Sequence, residues 1–275
     1  EDIEPHPNAD KLRVCKVDIG DGEIKDIVCG GINLEKGMRV AVSCPGAIVR
    51  WHGEGEPVEI KKSKLRGVAS YGMICASDEI GLGDLFPASQ EAEILDLSAF
   101  DVPAGTTLAD ALDLNDVLLE IDNKSMTNRP DLWGHYGIAR EIAALYNLPL
   151  AEIKPFDTDV QSDFNVEIAD PDRCPRYIGV EMSGVNVKEA PYQMQNRIWK
   201  VGMRPINALV DITNYVMLAT GNPTHAFDAD NISDPVIFLS SCKRNQDSSN
   251  QVAKDISTCR SCQHTKACIS IGKYR

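Results

Sequence analysis

The chain has 275 residues, long enough for about two domains, and its 43% hydrophobic and 25% charged residues are an ordinary balance for a globular protein. No run of about 18 apolar residues occurs, which argues against a membrane-spanning helix, and the acidic opening Glu1-Asp2-Ile3-Glu4-Pro5-His6-Pro7 is not a signal peptide. The formal net charge of −13 excludes nucleic-acid binding through a general positive field, so any contact with phosphates must rest on a local patch.

Residues 1–108 hold 11 basic and 19 acidic residues, residues 109–232 hold 10 and 19, and only residues 233–275, with 7 and 3, are net positive. The missing initiator Met reads as the mark of a fragment, and the expected compartment is the cytoplasm. Of nine cysteines, Cys15, Cys29, Cys44, Cys75 and Cys174 are scattered among apolar neighbours, which suits reduced, buried thiols.

In chain order, Pro7 and Asn8 bend the entry His6–Lys11. Leu12–Ile19 predicts a strand, Gly20-Asp21-Gly22 a hairpin turn, and Glu23–Cys29 the returning strand. Arg39–Ser43, Val58–Leu65 and Tyr71–Ala76 are predicted as further short strands. Short strands punctuated by Gly, with almost no helix, predict a small barrel over residues 1–108. Lys61, Lys62, Lys64 and Arg66 form its basic cluster, and alternation along one strand would set Lys62 and Lys64 on one face with Lys61 on the other. Two readings stand for this cluster: contact with adjacent phosphates, or a solvated strand edge that lysines keep unpaired. Trp51 and Tyr71 read as core residues or as surfaces on which a base stacks.

Val117–Ile121 predicts a short strand, and Asp131 the first turn of a helix running to about Tyr146, with Leu132, Tyr136, Ala139, Ala143 and Tyr146 along one face. Asn128 and Arg129 read as braces of the turn, and His135 as a surface or packing residue. The acidic stretch Thr158–Asp163 reads as a linker. Asn165–Ile168 and Tyr177–Met182 are predicted strands, and Pro191 opens a helix that ends near Gly202. Arg204 and Pro205 then open a further helix, whose Ile206, Leu209, Val210, Thr213, Val216 and Met217 mark a buried face. Gly221 stops that helix and Pro223 prevents its resumption, so His225 emerges just past one end while Arg204 stands at the other. On spacing alone this is a core helix with a capped exit.

Residues 233–275 show little periodicity and reversed charge. Cys259-x-x-Cys262 with His264 and Cys268 superficially suggests zinc, but a second properly spaced pair is missing and Cys242 stands alone. No metal is expected there, and the segment is set apart as an unplaceable tail, either divergent or out-of-frame.

Three stretches carry a family resemblance. RPINALVDITNYVM (204–217) followed by GNPTHAFD (221–228) resembles the B3/B4 region of the β subunit of bacterial phenylalanyl–tRNA synthetase. HPNADKLRV (6–14), DIVCGG (26–31) and KKSKLRGVASYGM (61–73) resemble the tRNA-binding module of the EMAP II type, and NRPDLWGHYGIAREIAAL (128–145) resembles the β-subunit segment that follows that module. The resemblance implies an α+β multidomain chain. It would consist of an N-terminally incomplete OB-fold barrel (1–108), a small α/β connector (109–160), the first part of a B3/B4 domain (165–232), and the tail. It implies tRNA binding through Lys61, Lys62, Lys64 and Arg66, and an incomplete editing site, for hydrolysis of tyrosyl-tRNA, at Arg204 and His225. It also implies an α subunit as partner in an α2β2 tetramer. ATP and magnesium would serve the whole enzyme, with no cofactor in this chain, and no Walker-type Gly-rich phosphate loop is present. The chain alone is expected to be inactive. The alternative, a free-standing RNA-binding OB-fold without an enzymatic partner, is opposed by the motifs beyond residue 108.

Overall fold

The computed structural model describes residues 1–154 and 177–229, together with the backbone of three further strands at 166–168, 237–239 and 266–272. The predicted linker at 158–163 and most of the segment 233–275, including Cys242, Cys259, Cys262 and His264, lie outside the described residues. The chain divides into two compact units, Glu1–Leu119 and Glu120–Arg275.

The first unit is built from nine short strands: β1 (Asp2–Pro5), β2 (Arg13–Asp18), β3 (Ile24–Cys29), β4 (Val42–Ser43), β5 (Ile48–Arg50), β6 (Pro57–Glu59), β7 (Ser63–Leu65), β8 (Val68–Ser70) and β9 (Met73–Ile74). A single-turn helix, α1 (Leu108–Ala111), is capped by the Thr107 hydroxyl, which accepts from the Asp110 amide at 3.2 Å. The predicted β2–β3 hairpin is present, with Cys15 opposite Ile27 and Asp18 opposite Ile24. Side chains alternating inward from this hairpin make the core, where Cys15, Ile27 and Cys29 pack with Leu34, Ile74 and Ile94. Burial pushes the Cys15 thiol up to about 11 and raises Cys29 and Cys75 as well, so these sulfurs remain protonated, apolar core groups at neutral pH.

The strands form four separate sheets among the described residues: β1-β2-β3, β4-β9, β5-β6 and β7-β8. A closed barrel is therefore not what the ladders display. Strand β1 was not legible, because Asp2, Glu4 and Pro5 lack strand propensity; it forms as an edge strand through antiparallel pairing with β2. The single strand expected over Val58–Leu65 is broken in two. Ile60 exchanges backbone hydrogen bonds with the β5 side of the sheet, donating to the Ala47 carbonyl and accepting from the Gly46 amide, both at 2.8 Å. Lys61 and Lys62 belong to no strand and β7 begins a new hairpin at Ser63, so the alternation argument for the lysine faces does not apply. Val117–Ile121 is not a strand either. Its apolar side chains lie exposed, with no ladder partner among the described residues, and propensity without a partner does not make a strand.

The second unit carries α2 (His135–Tyr146), β10 (Val166–Ile168), β11 (Tyr177–Ser183), α3 (Tyr192–Lys200), α4 (Ala208–Thr220), β12 (Thr224–Asp228), β13 (Ile237–Leu239) and β14 (Lys266–Gly272). β14 lies antiparallel between β11 and β12, while β10 pairs in parallel with β13. The helix expected to start at Asp131 begins at His135 instead, because Pro130–Leu132 forms a separate 3-10 turn. Arg129 braces that turn as anticipated. Its guanidinium donates to both Asp131 carboxylate oxygens, at 2.9 and 2.8 Å, and to Glu141 at 3.0 Å, while Arg140 adds a 2.8 Å bond to Asp131. These guanidinium contacts, Arg129 first, hold the Asp131 carboxyl well below the usual carboxylate range.

Candidate functional site

The basic residues gather on the β7–β8 hairpin. Leu65 pairs with Val68 across a two-residue loop in which Arg66 (φ 46°) and Gly67 (φ 92°) are both left-handed, the geometry of a type I′ turn. All of β7 is exposed. The four cations are not equivalent. Lys61 is 3.5 Å from Glu59, and the Lys62 ammonium sits 4.9 Å from the centre of the Tyr71 ring. Lys64 and Arg66 have no ion pair among the described residues. Lys25, which faces the same ring at 5.2 Å, is held by Asp21 and Glu23 at 2.8 and 2.6 Å and so brings no free charge. Tyr71 is thus a half-buried seat for lysines, whereas Trp51 is exposed.

Sequence reasoning missed the groups that anchor this hairpin. The His6 ring reaches the Leu65 carbonyl at 3.1 Å, and the Asn8 side-chain amide donates to the Arg66 carbonyl at 3.0 Å. The signal available was the HPN triplet itself, which reads as a bend and as the start of the stretch HPNADKLRV but gives no long-range partner.

At the second candidate site, α4 starts at Ala208 rather than at Pro205. The Asn207 side chain accepts from the Leu209 and Val210 amides, both at 3.1 Å, and this cap fixes the start, leaving Pro205 outside the helix. Of the predicted buried face, Ile206 is exposed and precedes α4, while Leu209, Val210, Thr213, Val216 and Met217 are half-buried; the buried residue of α4 is Asp211, whose carboxylate accepts the Ile206 amide at 2.9 Å. Gly221 ends the helix as expected. Strand β12 packs back against α4, where the Thr224 hydroxyl donates to the Thr213 carbonyl at 3.3 Å. His225 is exposed, opposite Ser270 of β14, with its ring centre 6.4 Å from that of Phe227. Arg204 is also exposed, and no hydrogen bond or ion pair joins it to His225 among the described residues. The two residues therefore flank the α4–β12 element without touching. His135, the first residue of α2, reaches that element: its ring Nδ1 donates to the Leu218 carbonyl at 2.8 Å, tying α2 to the last turn of α4.

Burial raises the Asp211 carboxyl, with the Ile206 amide opposing. The folded protein then binds this proton more tightly than the unfolded chain does. The contribution of Asp211 thus improves as pH falls through the raised value toward the unfolded value near 4. Asp211→Leu, which strands the Ile206 amide, is expected to cost about 2 kcal/mol. Asp211→Asn keeps an acceptor and is expected to be neutral or stabilising at pH 7, with the acid-side gain removed. Urea titrations at pH 4 and pH 7 read both effects, and an Asp211→Leu midpoint equal to that of the parent would exclude this role.

Comparison with known proteins adds two domain matches: a tRNA binding domain over residues 1–106 and a B3/4 domain over residues 173–256. The second match runs past residue 233, where the sequence reading had set a tail apart. The phenylalanine–tRNA ligase β subunit of Pectobacterium atrosepticum is 42% identical over 236 residues, covering 84% of this chain and 28% of that protein. The same subunit of Aliivibrio fischeri is 41% identical over 239 residues, with the same coverages of 84% and 28%. That of Fusobacterium nucleatum is 38% identical over 250 residues, 90% of this chain and 30% of the relative. With both domain matches and this identity sustained across most of its length, the chain is similar to phenylalanine–tRNA ligase β subunits and spans less than a third of the relatives it matches.

Proposed function

We propose that this chain is a tRNA-binding and editing portion of a phenylalanine–tRNA ligase β subunit. The observation that carries the reading is the exposed basic hairpin inside the stretch that matches a tRNA binding domain, followed by a B3/4 match on the same chain. Residues 1–108 form an OB-type module that holds the RNA backbone on Lys61, Lys62, Lys64 and Arg66. The partners are a phenylalanine-specific tRNA and an α subunit, in an α2β2 enzyme that works in the cytoplasm. ATP and magnesium belong to the aminoacylation site of that whole enzyme. Among the described residues no three His, Cys, Asp or Glu side chains converge to hold a metal ion.

Editing follows from the limits of binding discrimination. A pocket built for phenylalanine rejects an added hydroxyl by only about a hundredfold in comparable cases, so a second, hydrolytic site removes tyrosine from the tRNA. Arg204 holds the carbonyl or an anionic group of the tyrosyl ester, and His225 binds the phenol or orients the attacking water. In an assembled ligase carrying these residues, Arg204→Ala and His225→Ala are each expected to slow tyrosyl-tRNA hydrolysis by about tenfold or more. Affinity for tRNA should change by less than about twofold. Full deacylation activity in either variant removes that residue from the site.

A further inference from the structure

We propose that His6 and Asn8 are positioning residues for RNA, holding the tip of the β7–β8 hairpin in the shape that presents Lys64 and Arg66. This inference rests on the reading of that hairpin as the RNA contact.

The hairpin cannot hold itself. Its strands are three residues long, β7 is wholly exposed, and an isolated two-stranded hairpin is marginal in water. Its base is tied down on one side: the Ser70 hydroxyl accepts the Val28 amide at 3.0 Å, and the Tyr71 amide donates to the Asp26 carbonyl at 2.9 Å. Its tip is tied by His6 and Asn8. The loop that supplies them is itself closed by the His6 amide donating to the Leu12 carbonyl at 3.1 Å and the Leu12 amide to the Ala9 carbonyl at 3.2 Å.

The bonds at the tip assign the state of the imidazole. The Asn8 amide donates to His6 Nδ1 at 3.0 Å, so Nδ1 is bare. The Leu65 carbonyl can only accept, so Nε2 bears the proton and donates to it. His6 is 6% exposed, and its ring is fixed as a neutral bridge between the entry loop and the last residue of β7. Asn8 extends that bridge by one residue, to the carbonyl of Arg66, the first left-handed residue of the turn. Together they fix the peptide planes on both sides of Arg66. Cations already held in place lose less freedom on meeting a phosphate chain, and that is how a residue without charge adds affinity.

Asn8→Ala tests this directly, because Asn8 is exposed and the substitution leaves every charge in place. In the full chain its effect is read by amide and imidazole NMR and by tRNA binding across a salt series, with Lys64→Ala run in parallel. The parent should show His6 as the neutral Nε2–H form. In Asn8→Ala the amide signals of residues 64–68 should shift or broaden while those of the core strands stay put. Affinity for tRNA should fall about fivefold, the worth of one net hydrogen bond, at an unchanged salt slope. Lys64→Ala should instead flatten the slope. Unmoved hairpin amides, or moved amides with unchanged affinity, would overturn the positioning role while the RNA reading stands on Lys64→Ala. Should Lys64→Ala leave both affinity and slope untouched, the RNA reading falls and this role falls with it.

Discussion

Replacing Lys61, Lys62, Lys64 and Arg66 together by alanine is expected to abolish measurable tRNA binding at about 0.15 M salt. Each phosphate contact contributes a slope of about −0.7 to −0.9 in the logarithm of affinity against the logarithm of salt, so losing three or four contacts flattens the dependence by about three units. The surroundings give no reserve, since residues 1–108 hold 19 acidic against 11 basic residues even before the change. The structure also ranks the single substitutions. Lys64 and Arg66 have no ion pair among the described residues, whereas Lys61 faces Glu59 and Lys62 rests on Tyr71. Lys64→Ala and Arg66→Ala should therefore each cost more than Lys61→Ala. An unchanged slope in the fourfold variant would remove the hairpin from the RNA interface.

Gly137→Ala is expected to cost the second unit about 3 kcal/mol or more of stability. A Cβ at Gly137 would fall on the Asp131 carbonyl oxygen and lie 2.6 Å from its carbon, and both are backbone atoms that a rotamer change cannot move aside. The 3-10 turn at Pro130–Leu132 would have to separate from α2, breaking the geometry in which Arg129 grips both Asp131 and Glu141. Gly134 is constrained in the same way, with its added Cβ 2.7 Å from the Thr220 carbonyl carbon. Any shift there reaches the turn that leads into His225. Trp133 and Trp199 report on this unit, so a urea titration followed by their fluorescence measures the change. A Gly137→Ala midpoint equal to the parent's would show that the turn and helix separate without cost.

Local periodicity and chain punctuation determined a good deal about this protein. The β2–β3 hairpin, α3, the Gly221 end of α4, the structural part played by Arg129 and the family resemblance all depend on residues near one another in the chain, and each was legible there. The parts decided only by tertiary structure depend on which distant group completes a hydrogen bond. Ile60 breaks the predicted strand because its backbone bonds to Gly46 and Ala47. The polar segment Asp2–Pro5 becomes a strand because β2 offers it an edge, while the apolar Val117–Ile121 does not because no ladder partner meets it among the described residues. Asp211, rather than the apolar stripe, is the buried residue of α4 because the Ile206 amide needs an acceptor. His6 and Asn8 grip a hairpin 58 or 59 residues away in the chain, a separation at which neither helical nor strand periodicity carries any signal.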